Sequence, residues 1–364
     1  MSEIEPYRIA VPQAALDDLQ YRLEHVRWSD EIDGAGWDYG SPVAELKEQV
    51  EYWRTRYDWR ATETRLNAYP QFTTTIDGQR IHFLHVRSAR PDALPLILNH
   101  GWPGSIAEFL DVIEPLTTPG DDGIAFDLVI PSLPGFGFSG PTSSRGWNPQ
   151  RIAAVWAELM RRLGYQRYGA AGNDWGSDIA PELGRAAPAA VVGVHVTQIF
   201  SDVAASEYDR TSDEERAAVE ELEWFQENMD AYGYLQTQQP QSLAHALTDS
   251  PVGLLGWHNL IYRGDLDHDF VLTNVMIHWL TGTVASAMRI YYESDRSTKP
   301  PEPTTAPLGL AQFRDDIHAV RRFAERDHAN IVSWNVYDTG GHFAAHQEPE
   351  LLVDDLRSFF TPLR

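Results

Sequence analysis

An aspartate flanked by small residues is the most distinctive chemical feature of this sequence. Residues 172–176 read Gly-Asn-Asp-Trp-Gly. This is the spacing of a strand-to-helix elbow, in which the glycines let the backbone turn sharply and expose the central side chain. A serine there would make an acyl-enzyme, whereas Asp174 can attack an sp3 carbon that bears a leaving group. Water would then hydrolyse the enzyme ester. By itself the motif also allows a loop aspartate that only caps the next helix.

A second turn with catalytic potential follows the apolar strand predicted at residues 94–99. Residues 100–105 read His-Gly-Trp-Pro-Gly-Ser, and their glycines allow a tight turn into a helix that begins near Ser105. Such a turn can aim the backbone amide of Trp102 into a cavity. There it would join the amide of Trp175 to hold an oxyanion. An ordinary strand-to-helix loop is the alternative.

An acid and a histidine near the C-terminus complete a set of three. Asp315 and Asp316 are adjacent, and His342 lies on a glycine-rich loop after the strand predicted at residues 331–337. The order nucleophile, acid, histidine is the order of α/β-hydrolase triads. The sequence therefore predicts that Asp174, one of these two acids and His342 meet in one site.

The elements around these residues predict an α/β fold with an insertion. Strands and helices alternate through residues 91–200 and 301–364, which predicts a mostly parallel sheet flanked by helices. Residues 201–300 break that rhythm and are predicted to form a mainly helical cap. Residues 1–90 are predicted to wrap the core as an N-terminal extension, with a hairpin turn at Asp77 and Gly78.

Composition excludes several classes of partner. The formal charge of −24 repels phosphate groups, which argues against nucleic acid and an anionic membrane surface. Residues 135–140 match a dinucleotide-binding glycine pattern, but Pro141 follows where the helix should continue.

Cysteine is absent, so no thiol nucleophile or Cys-based zinc site exists. The acidic N-terminus does not suit a signal peptide, and a soluble cytoplasmic protein is the simplest prediction.

The motifs together resemble those of the epoxide hydrolases of the α/β-hydrolase fold. The likeness is to the microsomal-type family with its N-terminal extension, in a soluble, bacterial-like form without the membrane anchor of some members. It covers nearly the whole chain. Its most specific segments are residues 100–105, 172–176, 249–254 and 340–345.

The resemblance implies a role for each candidate residue. Asp174 would be the nucleophile, His342 the general base, and the amides of Trp102 and Trp175 the oxyanion hole. The acid would be Asp316, which the spacing to neighbouring apolar residues favours, or else Asp315. The family also places two cap tyrosines over the nucleophile. Tyr234 and Tyr291 match these, with Tyr292 as an alternative to Tyr291.

The implied reaction is hydrolysis of an epoxide to a vicinal diol without a metal or organic cofactor. An aromatic or bulky natural-product epoxide is the expected substrate, with water as the second reactant, in detoxification or secondary metabolism. A haloalkane dehalogenase would use the same nucleophile, and a catalytically silent binding protein is the non-enzyme alternative. Members of the family commonly form homodimers, which this sequence neither favours nor opposes.

Overall fold

The computed structural model describes most of the chain. Its described residues are 3–118, 120, 123–201, 212–262, 266–298 and 300–364. They form one nine-stranded sheet with helices on both faces. The predicted α/β-hydrolase fold is confirmed.

In the described part of the chain, seven strands precede the helices of the cap, and two follow them. In sequence order they are β1 (Glu5–Tyr7), β2 (Gln71–Ile76), β3 (Gln79–Val86), β4 (Leu94–Asn99), β5 (Phe126–Pro131), β6 (Tyr168–Gly172), β7 (Val191–Val196), β8 (Leu308–Gln312) and β9 (Ile331–Val336). In space the order is β1-β2-β3-β5-β4-β6-β7-β8-β9. The pairs from β1 to β5 are antiparallel, and those from β5 to β9 are parallel. The hairpin turn predicted at Asp77 and Gly78 is confirmed, and both residues have positive φ.

The helices divide by region. The N-terminal region has Gln13–Glu24, Val43–Thr55 and Trp59–Leu66. The core has Leu110–Thr117, Pro149–Arg162, Trp175–Ala186, Arg321–Asp327, Ala344–Gln347 and Pro349–Phe360. Between β7 and β8, the described residues form Asp213–Asn228, Ala231–Gln238, Pro240–Asp249, Pro251–His258, His268–Thr281 and Val284–Asp295. Residues 213–262 and 266–295 therefore form the described part of a helical cap.

The sheet order changes direction at β4. The chain passes from β4 to β5 on one side and then returns to place β6 on the other side. Open parallel sheets bind ligands at the carboxyl ends of the strands where the order reverses in this way. The segments after β4, β6, β8 and β9 carry the predicted triad and oxyanion-hole residues, so the topology brings these to the same edge of the sheet.

The sequence did not reveal β8, which follows a Pro- and Thr-rich connector. Gly309 is the second residue of this strand, and glycine is unfavourable in strands because it has no side chain to pack. Here the ring of Phe359 covers it: a Cβ built on Gly309 would lie 2.6 Å from Cδ2 of Phe359. The packing of a distant helix therefore determines a strand that local preference does not indicate.

The N-terminal region contacts the cap as well as the sheet. The hydroxyl of Ser41 donates to the carbonyl of Gly256 at 2.6 Å, and the side-chain amide of Asn259 donates to Gln49 at 2.6 Å. Residues 3–90 therefore extend the sheet through β1 to β3 and also help to hold the cap against the core.

Among the described residues, no single helix is long and apolar enough to cross a membrane. The helices His268–Thr281 and Val284–Asp295 reach that length and apolarity only together, with a bend of 96° between them.

Candidate active site

Asp174 lies at the turn between β6 and helix Trp175–Ala186. Its φ is 53° and its ψ −123°, a conformation that non-glycine residues rarely adopt. A Cβ on Gly172 would lie 2.0 Å from the carbonyl oxygen of Gly176, so the turn closes only with glycine there. The Asp174 side chain makes no capping hydrogen bond to its helix. The elbow predicted from sequence is present, and the carboxylate is free to face the cavity.

One oxygen of this carboxylate already lies in an oxyanion-hole geometry. The backbone N–H of Trp102 donates to Asp174 Oδ1 at 2.7 Å, and the backbone N–H of Trp175 also donates to the carboxylate. Gly101 permits this approach, since a Cβ there would lie 1.9 Å from Oδ1. Both predicted amides therefore lie at this carboxylate, where they can stabilise negative charge.

The other oxygen lies near His342. Its Oδ2 is 3.7 Å from Nε2 of His342, and Nδ1 of the same ring is 3.1 Å from Oδ1 of Asp316. Asp316 is nearly buried, whereas Asp315 is about 60% exposed and pairs with Arg314 at 2.8 Å. Of the two acids left open by the sequence, Asp316 is the one in contact with the histidine.

Burial and neighbouring charge have opposite effects on these groups. Burial lowers the pKa of His342, but the carboxylates of Asp316, Asp174 and Glu108 outweigh it and raise that pKa to about 9. Burial raises the pKa of Asp174, while His342 and the two amides act in the opposite direction. The ring therefore favours its charged form while Asp174 is ionised beside it.

The structure differs from the sequence prediction at one of the two cap tyrosines, because Tyr232 and not Tyr234 lies beside the site. Tyr232 stacks on the indole of Trp102 with ring centroids 5.1 Å apart, and it is 9% exposed. Tyr234 is 69% exposed and does not join this cluster. Residues two apart on a helix point in nearly opposite directions, so only one of the two can face the nucleophile. The sequence motif identified the right helix but the wrong position on it.

The second tyrosine is Tyr291, as the sequence indicated. Its ring meets Trp175 edge-on at 4.8 Å and lies 6.2 Å from the ring of Tyr232. Tyr292 instead has its ring under the guanidinium of Arg296, at 3.7 Å. Burial raises the pKa of both Tyr232 and Tyr291 well above 10. Both phenols are therefore neutral and can donate hydrogen bonds.

Two buried residues beside the site were missed by sequence reasoning. Gln198 follows β7 and contacts both Asp174 and Asp316. Its position just beyond the carboxyl end of a central parallel strand was an available signal. Glu108 is 1% exposed, and neither of its oxygens has a hydrogen bond of good geometry to any described residue. No local pattern in the sequence indicates that this glutamate is buried.

A cavity of about 1450 Å³ opens above Asp174. Its lining includes the aromatic and apolar residues Trp175, Ile199, Phe225, Tyr232 and Tyr291, together with charged residues such as Glu182 and Arg326. Among the described residues no cluster of three His, Asp or Glu side chains could hold a metal ion. The chemical groups that converge on the cavity are thus one carboxylate, one histidine–acid pair, two phenols and two backbone amides.

Comparison with known proteins supports this architecture across the whole chain. The family described as "Epoxide hydrolase N terminus" matches residues 4–109, and "alpha/beta hydrolase fold" matches residues 94–263. A protein named "Putative epoxide hydrolase" from Stigmatella aurantiaca is 42% identical, covering 99% of this chain and 86% of that protein. Epoxide hydrolase 1 of Sus scrofa is 32% identical, covering 98% and 88%.

A solved structure agrees with these sequence relatives. The Aspergillus niger epoxide hydrolase superposes with a TM-score of 0.88 at 30% identity, and the match covers 100% of this chain and 97% of that one. Fold and site together define an α/β-hydrolase with a helical cap and an aspartate at the nucleophile position. The chain belongs to the epoxide hydrolases of the microsomal type, and it is a hydrolase that acts on epoxides.

Proposed function

We propose that this enzyme opens an epoxide through a covalent ester on Asp174 and releases a vicinal diol. The main support for the proposal is that the two oxygens of that carboxylate have different contacts. Oδ1 is held by the Trp102 amide, while Oδ2 faces His342. A carboxylate arranged in this way can attack with one oxygen and leave the other as the future oxyanion.

In the first step Oδ2 of Asp174 attacks an epoxide carbon, and the bond from that carbon to the ring oxygen breaks. The hydroxyls of Tyr232 and Tyr291 donate to the ring oxygen as it becomes an alkoxide, and one of the two phenols gives it a proton. The oxygen therefore stays on the substrate as a β-hydroxyl, and a phenolate forms. The product of this step is a β-hydroxyalkyl ester. Because both phenols are buried and neutral, they are donors at neutral pH.

In the second step His342 acts as a general base. Its Nε2 takes a proton from water while Nδ1 is oriented by Asp316, and the water oxygen adds to Cγ of Asp174. Negative charge on Oδ1 is stabilised by the two tryptophan amides. Collapse of the tetrahedral intermediate breaks the bond between Cγ and Oδ2, and the His342 imidazolium gives its proton to Oδ2 as the diol leaves. The second proton of the water returns to the tyrosine phenolate, and the water oxygen becomes part of the regenerated carboxylate.

The cavity supports a bulky substrate with aromatic or extended apolar groups. Its volume exceeds the ~300–1,000 Å³ of most small-molecule sites. Four aromatic rings, those of Trp102, Trp175, Tyr232 and Tyr291, pack around the nucleophile. Aryl epoxides and epoxides of natural products of similar bulk fit this wall in size and polarity.

The test is to block the second step and identify the adduct. His342→Gln is exposed to a panel of aryl and aliphatic epoxides and haloalkanes, and intact mass and peptide mapping are recorded. We expect a hydroxyalkyl adduct on Asp174. His25→Gln changes an exposed histidine of the N-terminal region and serves as the control, which should turn over without accumulating ester.

Three outcomes contradict the proposal. A plain alkyl adduct formed only from haloalkanes identifies a dehalogenase. An adduct on another residue, or none while the unchanged enzyme consumes epoxide, rules out the aspartyl ester. Absence of turnover by the unchanged enzyme on a panel that its cavity admits favours a binding protein.

A further inference from the structure

Gln198 lies between the nucleophile turn and the triad acid. It follows β7, and its side chain is 1% exposed. Both ends of its amide are engaged by groups that belong to the site. Its position therefore differs from that of a glutamine that only fills a buried gap.

The oxygen end of the amide contacts the turn that carries Asp174. Oε1 of Gln198 accepts from the backbone N–H of Asp174 at 2.7 Å and from the hydroxyl of Ser177 at 3.1 Å. The N–H of Asp174 belongs to a residue with positive φ, where the backbone is strained. A hydrogen bond at this amide helps to hold the turn that presents the nucleophile.

The nitrogen end of the amide contacts the carboxylate of Asp316. Nε2 of Gln198 donates to Oδ2 of Asp316 and to the side-chain oxygen of Asn173, the latter at 3.0 Å. The other oxygen of Asp316 accepts from the backbone N–H of Ile317 at 2.9 Å and contacts Nδ1 of His342. Donors on both oxygens fix the plane of this carboxylate and favour its charged form. Reversing the amide would set two acceptors against each other, so the neighbours determine its orientation.

We propose that Gln198 is a positioning residue for both half-reactions, with separate roles for its two ends. Its Oε1 holds the Asp174 turn for ester formation, and its Nε2 holds Asp316, and through it His342, for ester hydrolysis. This inference rests on the proposed aspartyl-ester mechanism. Loss of the Oε1 contacts should lower the rate constant of ester formation, and loss of the Nε2 contacts should lower that of ester hydrolysis.

Two substitutions separate these roles. Gln198→Glu keeps an acceptor for the Asp174 N–H. At alkaline pH, where both carboxylates are ionised, it replaces the donor that faces Asp316 with a second negative charge, and the rates are compared there. We expect ester formation within about threefold of the unchanged enzyme and ester hydrolysis slower by about 10- to 100-fold, the range for a hydrogen bond to a charged group. Gln198→Leu removes both ends, and both rates should fall.

The two rates are measured separately in single turnovers. Ester formation is followed by stopped-flow tryptophan fluorescence, since Trp102 and Trp175 flank the reacting carboxylate, and ester decay by rapid quench with mass spectrometry. Gln71→Leu is the matched control, because Gln71 is also a buried glutamine with a hydrogen-bonded amide but lies in β2. It should change neither rate by more than about threefold.

A double-mutant cycle tests whether Gln198 acts through Asp316. If it does, Gln198→Leu and Asp316→Asn together slow hydrolysis by about tenfold less than the product of the single effects. Multiplicative effects would overturn the inference, as would equal slowing of both half-reactions by Gln198→Glu. Failure of the mechanism itself looks different, because then neither the unchanged enzyme nor His342→Gln forms an ester.

Discussion

The Nε2 atom of His342 lies 3.7 Å from Oδ2 of Asp174, the carboxylate oxygen that the Trp102 amide does not hold. Negative charge on Asp174 is one of the causes that raise the pKa of His342 to about 9. In the proposed mechanism, formation of a neutral ester on Asp174 removes that charge. The pKa of His342 then falls, and the ring becomes a better proton acceptor at the stage when water must be deprotonated.

Asp174→Asn should reproduce this change in the absence of substrate, because an amide is neutral like the ester. We expect the pKa of His342 to fall below its value in the unchanged enzyme. Asp316→Asn should lower it further, since Asp316 raises that pKa more than Asp174 does. Titration of the ring by NMR measures both shifts. A pKa of His342 that is unaffected by Asp174→Asn would contradict the charge coupling on which the argument depends.

The two buried tyrosines should control ester formation. Tyr232→Phe and Tyr291→Phe each remove one donor to the developing alkoxide, and we expect each to slow ester formation about 10- to 100-fold, with ester hydrolysis much less affected. Tyr234→Phe is the control, since that hydroxyl lies on a side chain that is 69% exposed. A loss with Tyr234→Phe larger than that with Tyr232→Phe would reverse the structural assignment.

Much of the fold and site could be predicted because the signals were local. The small residues around Asp174 are required within a few residues of it: Gly172 and Gly176 both approach backbone atoms at distances that no Cβ allows. The hairpin at Asp77 and Gly78 likewise depends on positive φ at both positions. Such constraints can be seen directly in a sequence.

Other features depended on contacts between distant segments. The choice of Tyr232 over Tyr234 is set by how the helix Ala231–Gln238 rotates against the Trp102 indole. The position of Gln198 beside Asp316 requires β7 and β8 to be neighbours, although more than a hundred residues separate them. Packing of this kind leaves no periodic pattern in the sequence.

His346 joins three parts of the fold at the rim of the site. Its Nδ1 lies 2.7 Å from Asp111 of the core, and its Nε2 lies 2.8 Å from Asp267 of the cap. Asp111 also pairs with Arg65 of the N-terminal region at 2.6 Å. The ring stacks on Phe270 with centroids 4.0 Å apart. Only the doubly protonated ring can donate to both carboxylates.

The pairs that His346 forms with Asp111 and Asp267 should make the free energy of unfolding depend on pH. Partial burial lowers the pKa of His346, but Asp111 and Asp267 outweigh it and raise that pKa. The stabilisation is therefore fully present below the unfolded value near 6.5 and is lost as pH rises through the folded value. We expect His346→Gln to lower the free energy of unfolding by on the order of 1 kcal/mol at pH 6, because Asp267 is largely exposed.

Urea unfolding at several pH values measures the effect of His346→Gln. The difference from the unchanged enzyme should shrink towards alkaline pH. His25→Gln, which changes an exposed histidine, should show no such trend. A difference that stays constant across the pH range would mean that packing on Phe270, and not the charged ring, accounts for the loss.

Glu108 should destabilise the fold increasingly as pH rises. Burial raises the pKa of its carboxyl well above 4.5, so the folded protein keeps this proton at pH values where the unfolded chain has lost it. For such an acid the free energy of unfolding falls as pH rises from the unfolded pKa to the folded one. Glu108→Gln removes the titration and should gain on the order of 2 kcal/mol relative to the unchanged enzyme by pH 9.

The control for Glu108→Gln is Glu114→Gln, which changes an exposed glutamate of the following helix and should stay within about 0.5 kcal/mol at every pH. Because ionised Glu108 also raises the pKa of His342, Glu108→Gln should lower that pKa as well. An equal stability difference at pH 5 and pH 9, together with an unchanged pKa of His342, would show that Glu108 has the same pKa in the folded and the unfolded chain, and would contradict the prediction.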